Sequence, residues 1–191
     1  MGDFVRSLWA KFKIIISTLS LLSPDAGAVI VKLSDLQTMA QKSDVVFHGY
    51  VGDQRVIYDK MGRIITLTDL EVIDGLYGAK PGQVVTMYQV GGEHNGVVMP
   101  LLGGHVYRMG QEVILFGLVL KDTFVSFGAG QGKLDIQPGE GEEEVKEDLG
   151  DVHALGPSIG GSISITAPAP LTYSSTTLLK DEIRLMLKNR S

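Results

Sequence analysis

From Asp44 onward the chain alternates short β-forming runs with turn residues, and this alternation restricts the fold more than any other feature. The runs are rich in Val, Ile, Thr, Phe and Tyr, and short turns that contain Gly, Pro or Asp separate them. They cover residues 45–51 with an extension over 55–58, then 64–73, 83–90, 111–116, 123–127 and 133–136. Five or six strands in about 95 residues predict a mainly β fold, a small antiparallel barrel.

Helical patterns flank the β-rich region. Ser34 is a good N-cap with Gln37 three residues later, and Leu36, Met39 and Ala40 share one face of a short helix. A second helix is predicted over residues 176–189, capped by Ser175 or Thr176 and packed on the barrel. Its apolar stripe contains Leu178, Leu179, Ile183, Met186 and Leu187. The fold class therefore includes one short N-terminal helix and one C-terminal helix.

Residues 1–28 have the pattern of a cleaved signal peptide. Arg6, Lys11 and Lys13 precede an apolar run over 14–22, and Ala26 and Ala28 supply the small residues that a signal peptidase accepts. The run is about nine residues, far shorter than the roughly 20 that span a bilayer as a helix. The alternative is a buried or interfacial amphipathic helix. The first interpretation predicts an exported protein, periplasmic or extracellular, without a stable membrane span after cleavage.

The remaining chain divides by composition into three parts. Residues 29–138 form the β-rich domain, and residues 176–189 form the last helix. Between them, residues 139–175 begin with an acidic block and continue with Gly, Ser and Pro, which is typical of a solvated loop. The sequence shows no internal repeat.

Two properties of the composition exclude classes of chemistry. The chain has no cysteine, so disulfides, thiolate metal sites and cysteine nucleophiles are excluded. Its formal net charge is −5, which disfavours binding to the nucleic acid phosphate backbone. No cofactor motif is present.

The glycine-rich connection over residues 91–110 contains the candidate site residues. Long connections in compact domains are often binding elements, and we expect Glu93, His94, Asn95 and His105 to contribute to binding. Glu93, His94 and His105 are also the residue types that ligate zinc, although their spacing matches no established zinc motif. The alternative is a polar loop without a metal.

The segment Ser43–Val51 ("SDVVF.G.V") begins a series of motifs that resembles a known module. It is followed by "TDLEVIDGLYG" at residues 68–78, "G.EVILF" at residues 110–116 and the run 130–136. This order is similar to the netrin-type module of tissue inhibitors of metalloproteinases, and to uncharacterised exported bacterial proteins. The resemblance implies an OB-like barrel. The inhibitors use an N-terminal cysteine to chelate the zinc of their target, and without cysteine that mechanism does not carry over to this chain.

These observations favour an exported, non-enzymatic binding or interaction module whose partner is a protein or a cell-envelope component. The alternative is a metal-dependent hydrolase or a protease-associated inhibitor that uses the 91–105 loop. No catalytic constellation is recognisable, and the oligomeric state does not follow from the sequence.

Cleavage after Ala28 is testable by intact-mass measurement. We expect the protein recovered outside the cytoplasm to begin at Val29, because the apolar run and the small residues direct cleavage there. Recovery of a protein that begins at Met1 in the cytosol would contradict both the cleavage and the export.

Overall fold

The computed structural model describes residues 29–31, 33–101, 105–139, 143–147, 152–155, 165–166 and 170–190. The proposed cleavage residues Ala26 and Ala28 lie outside this part of the chain. The helices are α1 (Leu36–Lys42), α2 (Thr176–Lys188) and a 3-10 turn (Phe127–Gly130). The strands are β1 (Val29–Val31), β2 (Val45–Tyr58), β3 (Ile64–Tyr77), β4 (Val84–Val90), β5 (Gly92–His94), β6 (Val97–Met99), β7 (Glu112–Leu120), β8 (Thr123–Ser126), β9 (Lys133–Pro138), β10 (Glu143–Glu147), β11 (Val152–Leu155), β12 (Ile165–Thr166) and β13 (Thr172–Tyr173).

Five strands form a closed ring in the order β2–β3–β4–β8–β7, with β7 returning to β2. Every neighbouring pair in the ring is antiparallel except β4 and β8, which are parallel and register at the single pair Met87 and Phe124. In the described residues, the prediction of a small, mainly β fold with one N-terminal and one C-terminal helix is confirmed. The one parallel pair is the exception to the expected antiparallel arrangement.

The sheet continues beyond the ring from β7. Strand β9 pairs with β7, β10 pairs with β9, and β13 pairs with β10, all in antiparallel register. Two further small sheets do not pair with it: β1, β11 and β12 form one, and β5 and β6 form the other.

Strand β7 separates two hydrophobic cores. Val113 and Leu115 face the ring interior, where they join a cluster that includes Phe47, Leu70 and Met87. The alternate residues Ile114 and Phe116 face the other side and pack in a cluster with both helices. This explains why residues 113–116 are uninterruptedly apolar, since side chains on both faces of this strand are buried.

The N-cap of α1 is Asp35, not the predicted Ser34. A carboxylate oxygen of Asp35 accepts a hydrogen bond from the Thr38 amide at 2.7 Å. The Ser34 amide instead donates to the side chain of Gln131 at 2.8 Å, which ties the start of the helix to the turn after β8. The predicted buried face of Leu36, Met39 and Ala40 is confirmed.

Helix α2 begins after Ser175, whose hydroxyl accepts a hydrogen bond from the Leu178 amide at 3.4 Å. Leu179 and Ile183 are buried, but Leu178 is exposed, so its assignment to the apolar stripe was wrong. Leu178 lies on the solvent side because it directly precedes the buried Leu179, and successive helical residues point about 100° apart.

The helix is also held to the ring through Asp74, near the C-terminal end of β3. Its carboxylate lies 2.6 Å from Arg184 Nη2 and 3.2 Å from Lys180 Nζ. Burial alone would raise the pKa of Asp74, but the hydrogen bonds from these two cations lower it. The carboxylate therefore stays ionised between two positive groups of α2.

The expectation of a loop over residues 139–175 was wrong for residues 143–147. This acidic stretch forms β10, in which Val145 is fully buried opposite Ile136 of β9. The sequence Glu144-Val145-Lys146 alternates polar and apolar residues, and that alternation places Val145 against the helix-covered core. The strands β11, β12 and β13 also lie within the expected loop.

None of the helices in the described ranges has the length and hydrophobicity of a transmembrane span.

The close approach of β2 and β3 at Gly49 gives a test of the fold. A Cβ atom at Gly49 would overlap the backbone oxygen of Glu71, so Gly49→Ala should lower the free energy of unfolding by about 3 kcal/mol. Gly62→Ala is the control, because Gly62 has a φ of 75° but nothing within 4 Å of the added atom. Its cost should be about 1–2 kcal/mol from the backbone conformation alone. Equal losses in urea unfolding would contradict the close packing at Gly49.

Candidate binding site

The residues Glu93, His94 and Asn95 belong to a β-hairpin within the glycine-rich connection over residues 91–110. Strands β5 and β6 pair Glu93 with Val98 and His94 with Val97. Asn95 and Gly96 join them with φ values of 52° and 76°. Two successive positive φ values are those of a type I′ turn, for which Asn-Gly is a preferred dipeptide. Asn95 is therefore a turn residue, and its Asn-Gly signal was visible in the sequence.

The hairpin lies against the C-terminal part of β2 and the N-terminal part of β3. The Gly91 amide donates to the Ile64 oxygen at 2.8 Å, and the buried Thr66 hydroxyl donates to the Gly91 oxygen at 2.8 Å. Gly92 has no room for a side chain, because a Cβ there would meet Thr66 and Val56. The glycine pair thus allows the hairpin backbone to approach the sheet closely.

His94 and Glu93 point to opposite sides of the hairpin. The His94 ring packs edge-on against Tyr58 of β2, with 4.9 Å between the ring centroids and 88° between the planes. Glu93 is exposed to solvent. His94 is thus an anchor of the hairpin.

His105 lies apart from the hairpin and is almost completely buried at one end of the ring. Its backbone oxygen accepts a hydrogen bond from Gln89 of β4 at 3.3 Å, and its ring centroid is 6.4 Å from that of Tyr107. No group of three or more His, Asp or Glu side chains in the described part of the chain is arranged to hold a metal ion. Glu93, His94 and His105 therefore do not come together as metal ligands.

A buried lysine, which sequence reasoning missed, lies beside His105 and Tyr107. Lys133 is 1% exposed, and its Nζ is 3.0 Å from Asp135 Oδ1 and 5.0 Å from the Tyr107 ring centroid. Gln111 also donates to Asp135 at 2.9 Å. A buried ammonium needs such partners, so this cluster holds the segment 105–111 onto β9. The Lys-x-Asp spacing in a strand, which places both side chains on one face, was the available signal.

His48 is buried and paired on the outer face of β2. Its Nε2 lies 2.6 Å from Glu112 Oε1 of β7. The side chain points away from the Phe47 side, as strand alternation predicts. This pair joins β2 to β7 and lies on the face opposite to the ring interior.

Two cavities flank the single pair that joins β4 to β8. The larger has a volume of about 300 Å³ and lies where β4 residues 88–90 and β8 residues 125–126 continue past Met87 and Phe124. We call it the seam cavity. Its lining includes Gln89, Val90, His105, Leu118, Val125 and Ser126. The second cavity, about 220 Å³, lies on the other side of the pair.

The same end of the ring carries exposed apolar side chains. Val97 and Val98 on β6, and Val106 and Met109 on the following segment, are each more than half exposed. We call these four residues the hairpin surface. The segment that carries Met109 is held to β2, because the Gly110 amide donates to the Val51 oxygen at 2.7 Å and Gln54 donates to the Tyr107 oxygen at 2.9 Å.

Glu147, at the end of β10, is a buried carboxylate. Burial raises its pKa, while a hydrogen bond from the Leu171 amide at 3.1 Å and the nearby His105 oppose that rise. The folded state therefore binds the Glu147 proton more tightly than the unfolded chain does. This group lowers stability as the pH rises from the ordinary glutamate pKa through the raised one.

Glu147→Gln should raise the free energy of unfolding at pH 7, because the amide avoids burying a charge and its oxygen still accepts from Leu171. The gain should disappear below the ordinary glutamate pKa, where both states of the wild type are protonated. Urea unfolding from pH 3 to pH 8 measures this difference. Glu144→Gln, on the exposed side of the same strand, is the control and should change little. A loss of stability at pH 7 in Glu147→Gln would refute the assignment.

No protein-family model matches the chain, and no curated protein matches it significantly. The resemblance to the netrin-type module therefore stays a prediction.

Proposed function

We propose that this protein is an exported binding module that holds a protein or cell-envelope component at the end of the ring carrying the β5–β6 hairpin. The observation that carries this proposal is the hairpin surface. It is apolar, exposed and held on an ordered scaffold.

Apolar side chains of β6 are accessible on both sides of the strand. Val97 and Val98 are successive residues of β6, so their side chains point to opposite sides, and both are exposed. Water contact with exposed apolar side chains is unfavourable, and covering them is a common driving force for association. Ile57 and Tyr58 at the end of β2 add further exposed apolar area next to the hairpin.

The hairpin surface is fixed before a partner binds. The hydrogen bonds at Gly91, the packing of His94 on Tyr58 and the buried Lys133 cluster hold its two segments to the ring. A pre-ordered surface loses less conformational entropy on association than a flexible loop. This supports binding as the role of the connection.

Export is supported by the sequence alone. Residues 1–28 carry the signal pattern, and the chain contains no cysteine that would need oxidation or protection outside the cytoplasm. The partner is accordingly a component that an exported protein meets.

Capture from cell-envelope fractions tests the proposal. The protein is expressed from residues 1–191 and immobilised in the form that the cell processes. The wild type should enrich a specific component, and the double variant Val98→Lys and Met109→Lys should lose at least about 90% of it, because charge in an apolar interface is strongly unfavourable.

The matched control is the double variant Leu178→Lys and Leu185→Lys, which places the same charges on exposed apolar positions of α2. It should capture the component as the wild type does. Equal capture by the hairpin variant, with both variants folded, would contradict binding at this surface.

A further inference from the structure

The seam of the ring has an unusual geometry. Strands β4 and β8 register only at Met87 and Phe124. Past this point Val90 pairs with β3 and Val125 pairs with β7, and within the described residues neither strand pairs with the other. The seam cavity occupies the space between them.

Two strand edges therefore border one cavity. A strand that is paired on one side directs the remaining half of its amide and carbonyl groups to the other side. Here both strands run in the same direction along the gap, since their pairing is parallel. The complement of such an edge is another extended backbone, which offers donors and acceptors at the same spacing.

The wall of the cavity is mostly apolar and also includes a serine. Val90, Leu118 and Val125 contribute apolar surface. Ser126 also lines the cavity, and its buried hydroxyl has no hydrogen-bond partner in the described part of the chain. An unsatisfied buried hydroxyl is unfavourable, so a group that bonds to it would be favoured. The volume of about 300 Å³ is at the small end of the range for ligand pockets.

We infer that the seam cavity binds a short extended peptide segment, whose backbone pairs with the edge of β4 or β8 and whose one large apolar side chain enters the cavity. The Ser126 hydroxyl bonds to a backbone group of that segment. This inference rests on the proposed function, because the segment belongs to the bound partner, and it identifies the chemistry that the module recognises.

Titration with N-acetyl-phenylalaninamide tests the inference. The probe carries two amide groups around one large apolar side chain. In ¹⁵N-labelled protein, saturable shift changes should centre on residues 88–90 and 125–126, with a Kd in the range of about 1–10 mM expected for so small a ligand. N-acetyl-glycinamide, which lacks the side chain, should bind at least about ten times more weakly.

Three variants locate the site. Leu118→Trp fills the cavity and should weaken probe binding at least tenfold, whereas Leu120→Trp, two residues along β7 and outside both cavities, should leave it unchanged. Ser126→Ala removes only the hydroxyl and should weaken binding about fivefold, the equivalent of one hydrogen bond. Because Ser126→Ala is a small change, it serves even if Leu118→Trp does not fold.

The inference is overturned if the wild type shows no saturable shifts up to about 20 mM probe, or if they centre elsewhere. It is also overturned if neither Leu118→Trp nor Ser126→Ala weakens binding. A dimer in sedimentation that dissociates in Leu118→Trp would assign the seam to a second copy of this chain instead. If the Val98→Lys and Met109→Lys variant loses partner capture but the wild type binds no probe, the proposed function is supported. Only peptide binding in the seam cavity is then refuted.

Discussion

Strand β7 is the element on which the rest of the structure depends. Residues 113–116 are all fully buried, and they supply alternate side chains to the ring interior and to the layer covered by the helices. The same strand pairs with β2, β8 and β9, so it joins the ring to the extended sheet. Because one strand serves both cores, neither the ring nor the helical layer can be complete without the other. Its continuous apolar sequence is the direct consequence of burial on two faces.

The ring interior is apolar at one end and polar at the other, and this asymmetry positions the candidate site. Phe47 and Phe124 pack edge-on within the apolar part. At the polar end, the buried side chains of Gln89 and Lys133 donate hydrogen bonds to the backbone oxygens of His105 and Val106, in the segment that follows the β5–β6 hairpin. Buried polar groups need specific partners, so they hold a connection in one place where an apolar contact would allow it to shift. Buried, hydrogen-bonded polar side chains therefore attach the apolar hairpin surface to the ring.

Local sequence signals predicted most of the elements. The strands of the ring, the buried face of α1 and the Ser175 cap of α2 follow from alternation, helical periodicity and capping chemistry. Other features were missed although a signal was present: the Asn95-Gly96 turn, and the alternation around Val145 in β10. The acidic residues around Val145 led to the prediction of a loop there, because a segment of like charges is usually solvated. Glu93, His94 and His105 were grouped by residue type and nearness in sequence, which do not determine the directions of their side chains.

The sequence by itself determined the β-rich class, the turn positions and the two flanking helices, because each depends on residues within a few positions of one another. Only the tertiary structure decided that β4 and β8 meet in parallel at one pair, that Lys133 is buried under Tyr107, and that His94 packs on Tyr58 while His105 does not. Lys133 and Tyr107 are 26 positions apart in the sequence. His94 and Tyr58 are 36 positions apart, and Met87 and Phe124 are 37 apart. Which distant groups meet is selected by the packing of the whole ring, and the free energies of all its contacts decide that packing together.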